Sequence, residues 1–190
     1  MTTATEGSDG RLFAAPDRVG PAPPRVNDLK KLHDMGAPLL DKYAPRRTSL
    51  LVRRIRDARS VKGDPLRMNE VTIRRRVPSG DDAAEWAALQ RAPHSAALAY
   101  GWLDPSAAPP DLVAYVYLDA HLLLEDIEER PGCIVRAAGN RPLHHAPGGA
   151  EFYVVDLRRI CPDTILTSYG NIRWGTDPAP ARQADQESLW

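Results

Sequence analysis

Residues 148–174 read GGAEFYVVDLRRICPDTILTSYGNIRW. Gly148 and Gly149 punctuate the start of a run, 150–157, that is rich in β-branched and aromatic residues and therefore predicts a strand. In an extended chain Phe152 and Val154 face one side and Tyr153 and Val155 the other. Both sides are apolar, so the strand is expected to be covered on both faces. Glu151 stands at its mouth, half in water and half against low dielectric. There a carboxylate can accept a hydrogen bond from a sugar hydroxyl or stabilise a developing positive charge. The plainer reading of a glutamate at a strand start is a solvated side chain. Cys161-Pro162-Asp163 turns the chain, 164–169 read as a second strand, and Gly170-Asn171 form a turn before 172–174 continue the extended path.

Upstream, residues 111–118 (DLVAYVYL) are apolar throughout and predict a central strand, expected beside 152–157. Residues 79–90 predict a helix capped by Ser79 or Asp82, with Glu85 three after Asp82 and Trp86 as its packing residue. Residues 69–77 alternate as a strand, with Val71, Ile73 and Arg75 on one side and Thr72, Arg74 and Arg76 on the other. Within 26–43, Asn27 reads as an N-cap and Gly36 as the end of a first helix, with Pro38 just beyond. Residues 94–102 form a further apolar piece, 121–127 a helical turn and 133–137 a short strand. Residues 139–149 read as a polar loop containing His144 and His145. Adjacent residues in extended chain point to opposite faces, so this pair is a poor metal site.

The 190 residues are 43% hydrophobic and 26% charged, with 25 basic and 25 acidic side chains, which fits one globular unit and selects no partner by bulk charge. The charge is nonetheless segregated. Residues 46–76 hold eleven Lys and Arg against Asp57, Asp64 and Glu70, and residues 81–129 hold ten acids against Arg91 alone. The near match favours pairing within the protein over nucleic-acid binding, and the basic block has no aromatic residue on which bases would stack. No run is long and apolar enough to span a bilayer. Residues 1–10 lack the basic-then-apolar order of a secretory signal, so the expectation is a cytoplasmic protein or one exported without a cleaved signal. Cys133 and Cys161 are too few for a disulfide framework and show no metal spacing. No Gly-x-Ser-x-Gly elbow and no phosphate-cradling glycine loop is present.

The order of features from Val71 onward resembles the enterotoxin-type mono-ADP-ribosyltransferases, the family of the cholera toxin catalytic subunit. VTIRRRVPSGDDAAEWAAL (71–89) is similar to that family's serine-bearing strand and alanine-rich helix, and AYVYLDA (114–120) to its next strand. Glu151 followed by RRICPDTILTSYGNIRWG (158–175) is similar to the catalytic glutamate and closing strand. RLFAAPD (11–17) and PPRVNDLKKLHDMG (23–36) are similar to the opening. The chain departs from the pattern at Ala14, where the family has an arginine, at Ser79, which stands alone, and at Gly149, where an acidic residue or glutamine is usual.

The resemblance implies an α+β fold of mixed and antiparallel sheets with a few short helices, ADP-ribosyltransferase-like, with a cleft between two small sheets. It implies NAD as substrate, Glu151 as the catalytic residue, and Ser79 with Arg11 or Arg53 in cofactor binding. The acceptor would be a protein side chain or a nucleic-acid base. The expected organisation is a disordered segment 1–25, one α+β domain over 26–176 and a flexible tail 177–190. The alternative to the enzyme is a non-enzymatic protein-binding module on a degenerate transferase fold.

Overall fold

The computed structural model describes residues 26–61, 68–136, 141–146 and 148–174. The segment 1–25 with Arg11 and Ala14, and the tail 177–190, lie outside the described residues. The elements in chain order are α1 (Val26–Tyr43), β1 (Ser49–Asp57), β2 (Glu70–Arg76), α2 (Ala84–Gln90), β3 (Ala96–Asp104), β4 (Asp111–Asp119), α3 (Ala120–Glu129), β5 (His144–His145), β6 (Glu151–Asp156) and β7 (Ile165–Tyr169). Mixed α+β architecture is thus observed.

The strands form two sheets. The first has the order β1-β3-β4-β7, with β1 parallel to β3 and the other pairs antiparallel. The second has the order β2-β6-β5 and is antiparallel throughout. α1 covers one face of the first sheet, where Leu32, Leu40, Ala99, Leu103, Leu112 and Tyr117 make a small core. The opposite face shares the main core with the second sheet, α2 and α3, through residues such as Val71, Ile73, Trp86, Leu98, Trp102, Val116, Leu123 and Val155. β3 therefore lies between two apolar layers, which is why residues 96–103 are buried without alternation.

Several expectations are corrected. β4 is central, but it does not neighbour β6: the two belong to different sheets. An apolar pattern reports burial, not partner, and the edges of β4 are taken by β3 and β7. Gly36 does not end α1, and Asn27 lies within the helix rather than capping it. Leu32, Gly36 and Leu40 recur at a spacing of four and form the buried stripe. A Cβ at Gly36 would meet Ile55 at 2.8 Å, so helix and strand touch there. The burial of Leu40 carries the helix through Pro38.

α2 begins at Ala84 after an Ala83 N-cap without a side-chain cap bond. Ser79 Oγ instead donates to Asp81 at 2.6 Å, and Asp82 pairs with Arg75. Trp86 packs into the core as expected, with the Arg75 guanidinium 4.9 Å above its ring. The strand expected over 133–137 reduces, among the described residues, to one bridge between Ile134 and Val155.

The charge blocks meet in part. Arg54 of β1 forms a two-pronged ion pair with Glu85 of α2, while Arg53 pairs with Asp41 of α1 and Arg59 with its neighbour Asp57. The Arg54–Glu85 pair lies against the free edge of β2. Glu85 Oε2 accepts from the Arg74 backbone N–H at 3.1 Å, and the Tyr100 hydroxyl donates to the Thr72 carbonyl. Arg56 Nη2 donates to Thr72 Oγ1 at 2.8 Å. Burial is the largest influence on Arg54 and works against its charge, yet the bond to Glu85 and the electrostatic pull of Tyr100 and Glu85 together outweigh it and raise the guanidinium's pKa above its usual value. Burial lowers that of Arg56 and raises that of the Tyr100 hydroxyl, which stays a donor.

Two outcomes follow from this packing. Gly101→Val would push a side chain into Leu112, whose Cδ2 lies 2.9 Å from a Cβ at that position. The cost is about 1–3 kcal/mol, read as a fall in Tm of roughly 2–4 °C per kcal/mol; an unchanged melt would contradict the close approach. Glu85→Ala leaves the Arg54 guanidinium, 31% exposed, without its partner and should cost about 3 kcal/mol in urea denaturation. Asp82→Ala, which breaks the exposed pair with Arg75, should cost less than about 1 kcal/mol. Equal losses would place no special weight on the Arg54 pair.

Candidate functional site

The register of the second sheet puts three chemically active side chains in one row. Arg76 of β2 and His145 of β5 stand directly opposite Glu151, the first residue of β6. Directly opposed residues project to the same face of a sheet. Arg76 Nε lies 3.8 Å from Glu151 Oε2, and His145 Nδ1 lies 3.6 Å from Oε1. Both are ion-pair separations too long for a good hydrogen bond. The Glu151 side chain is 19% exposed. Its Oε2 is buried and has no hydrogen-bond partner among the described residues. A carboxylate oxygen in that state has unused acceptor capacity.

The sequence builds this mouth locally. Gly148 and Gly149 take positive φ of 96° and 87°, a region that L side chains rarely enter. The turn closes with Gly149 N–H to the Ala146 carbonyl at 3.0 Å and Ala146 N–H to the Ala150 carbonyl at 2.8 Å. This sets β5 against β6 in the register that presents His145 to Glu151.

A neighbouring row is formed by Arg74, Phe152 and His144. By strand alternation it stands on the face opposite Glu151. His144 stacks on Phe152 with centroids 5.8 Å apart and an interplanar angle of 18°, and its Nε2 lies 2.9 Å from the Val135 carbonyl oxygen. The two histidines thus point to opposite faces, as the sequence indicated. A cavity of about 200 Å³ is lined by Arg54, Thr72, Arg74, Ala146, Ala150 and Phe152, so it reaches from β1 of the first sheet to β2 and β6 of the second. The Arg74 guanidinium has no partner among the described residues, which leaves a planar cation free at the cavity wall.

The residues singled out in the sequence fall in different places. Glu151 occupies the mouth of β6. Ser79 lies in the turn after β2, and its neighbour Pro78 approaches Gly149, to within 3.8 Å of a Cβ built there. Ser79 is therefore at the same end of the second sheet as Glu151, though its hydroxyl is bonded to Asp81. Arg53 is turned toward α1 and bonded to Asp41 at 2.6 Å, while its neighbour Arg54 reaches the cavity. Arg11 lies outside the described residues. Sequence reasoning missed Arg76 and His145 as partners of Glu151, because a cross-strand neighbour is defined by register, and register is not written in either strand alone.

Of the two cysteines, Cys133 is buried and Cys161 partly exposed. Burial pushes the Cys133 thiol up to about 12, so it is an inert thiol. Among the described residues no group of three or more His, Cys, Asp or Glu converges as metal ligands would. No helix of the described chain is long and apolar enough to cross a membrane. No protein-family model, no curated protein and no solved structure matches this chain.

Proposed function

We propose that the chain is an NAD-dependent mono-ADP-ribosyltransferase-like protein of toxin or effector type, with NAD as substrate and Glu151 as the catalytic carboxylate. The observation that carries this reading is the state of that carboxylate. It is largely withdrawn from water, lies between Arg76 and His145, and keeps one oxygen without a hydrogen bond among the described residues. The two small sheets, which the resemblance implies, support the reading as well.

In the reaction, the bond between the ribose anomeric carbon and the nicotinamide nitrogen breaks. Nicotinamide leaves with the bonding electron pair, and positive charge develops on the ribose. A fixed carboxylate accepting from a ribose hydroxyl stabilises that charge, and does so more strongly in a site of low dielectric. The acceptor, a protein side chain or a nucleic-acid base, then forms the new bond to the anomeric carbon and releases its proton. Arg76 and His145 flank the carboxylate at ion-pair distance.

A second reading, a non-enzymatic protein-binding module, is favoured by one observation. Arg53 and Ser79, the cofactor-binding candidates within the described residues, are both engaged with carboxylates of this chain.

Nicotinamide release from NAD separates the two. Glu151→Gln keeps the shape of the side chain and removes its charge, and should slow release by about a hundredfold or more. Thermal melts should match the wild type, because Glu151 lies outside the core. Equal rates in the two proteins would remove Glu151 from the mechanism. No release by the wild type across protein and nucleic-acid acceptors would favour the binding module.

A further inference from the structure

α1 ends at Tyr43, and beyond it the first sheet's helix-covered face carries a row of tyrosines from three elements. Tyr115 of β4 stands directly opposite Tyr169 of β7, and Tyr43 closes the row from the helix. The Tyr43 and Tyr115 rings stack with centroids 5.1 Å apart and an interplanar angle of 13°; Tyr115 and Tyr169 stack at 5.5 Å and 24°. Tyr115 therefore has a ring against each face, and Tyr117 meets it edge to face at 5.6 Å. Lys42 Nζ lies 5.3 Å from the Tyr43 ring centroid. The two outer residues of the row are open to solvent, Tyr43 38% and Tyr169 58% exposed. Beside it is a hollow of about 250 Å³ lined by Tyr43, Asp111, Leu112, Tyr115 and Tyr169. Asp111 Oδ1 accepts from the Leu112 N–H at 2.8 Å, and its carboxylate has no cationic partner among the described residues.

We infer that this row is a docking surface for a proline-rich, extended segment of a partner protein that carries a basic residue. The inference is independent of the chemistry at Glu151. A polyproline II segment repeats every three residues, about 9 Å along its axis. The outer rings of the row, one step to each side of Tyr115, are spaced for about one such turn. Proline-rich segments dock grooves lined by aromatic rings, and phenol hydroxyls donate to carbonyls that the segment leaves unbonded. The unpaired Asp111 carboxylate, at the wall of the hollow, is complementary to an arginine or lysine of the segment. Such a segment is already extended when free, so docking costs little ordering. A nucleobase or a sugar needs an open ring face, which the row presents only at Tyr169, and Asp111 repels a phosphate backbone.

The test is a fluorescence-anisotropy titration of the full chain into a labelled Pro-x-x-Pro peptide ending in arginine. Saturable binding is expected, weakened by about tenfold or more in Tyr169→Ala and for a peptide with glutamate in place of the arginine. Asp111→Lys should reverse that charge preference. Both substituted residues are exposed, so melting curves should stay unchanged. The proposal is overturned by no saturable binding, by binding indifferent to both substitutions, or by tighter binding of an oligosaccharide or oligonucleotide at the same tyrosines. Self-association of the chain that Tyr169→Ala abolishes would identify a second copy as the occupant and overturn it as well.

Discussion

The pair between Arg54 and Glu85 is the interaction on which the arrangement of the two sheets depends. An apolar core is non-directional: it favours contact between the sheets without fixing how they meet. The directional part comes from groups that meet at the free edge of β2. Glu85 takes the Arg74 N–H, Tyr100 donates to the Thr72 carbonyl, and Arg56 donates to the Thr72 hydroxyl. An open strand edge carries backbone groups that need partners, and here side chains from β1, β3 and α2 supply them. Glu85 is largely buried, so it is tolerable only because Arg54 and a backbone donor satisfy it together.

That constraint has a consequence for the candidate site. With β2 held against the first sheet, its pairing with β6 places Arg76 opposite Glu151, and the glycine turn places His145 on the other side. The carboxylate thereby lies between two side chains it does not bond well and leaves one oxygen unused. Native proteins leave few buried polar atoms in that condition. The far end of the same stretch is organised differently. Asp126 of α3 accepts from the Cys161 N–H and Thr164 Oγ1 and pairs with Arg130, which anchors the turn that leads into β7. So β6 and β7, continuous in the chain, serve different sheets.

The segregation of charge along the chain has a structural use that its totals do not suggest. The basic block takes in β1 and β2, and the acidic stretch begins at Asp81, just before α2. Arg54 pairs with Glu85 and Arg75 with Asp82 across them, while the Arg74 guanidinium at the cavity has no partner among the described residues. Position within the block therefore matters more than its net charge. Arg53 and Arg54 are adjacent in sequence, yet strand alternation sends one to α1 and the other to the second sheet.

The sequence by itself determined the elements wherever one residue type settled a local conformation or a periodicity settled burial. The runs of β-branched and aromatic residues at 111–118 and 150–157, the alternation at 69–77 and the Gly148-Gly149 turn are each local properties, and strands and turn formed there. It also placed Glu151 at the start of a strand, where β6 begins. Only the tertiary structure decided which strands pair. β4 and β6 have similar apolar patterns, and nothing in either excludes the other as a neighbour. The course of α1 was likewise decided from outside, because the burial of Leu40 and the contact of Gly36 with Ile55 overrode the local signals of Gly36 and Pro38. The partners of Glu151 and the free Arg74 depend on register, which is a relation between segments far apart in the chain and is fixed only when they pack.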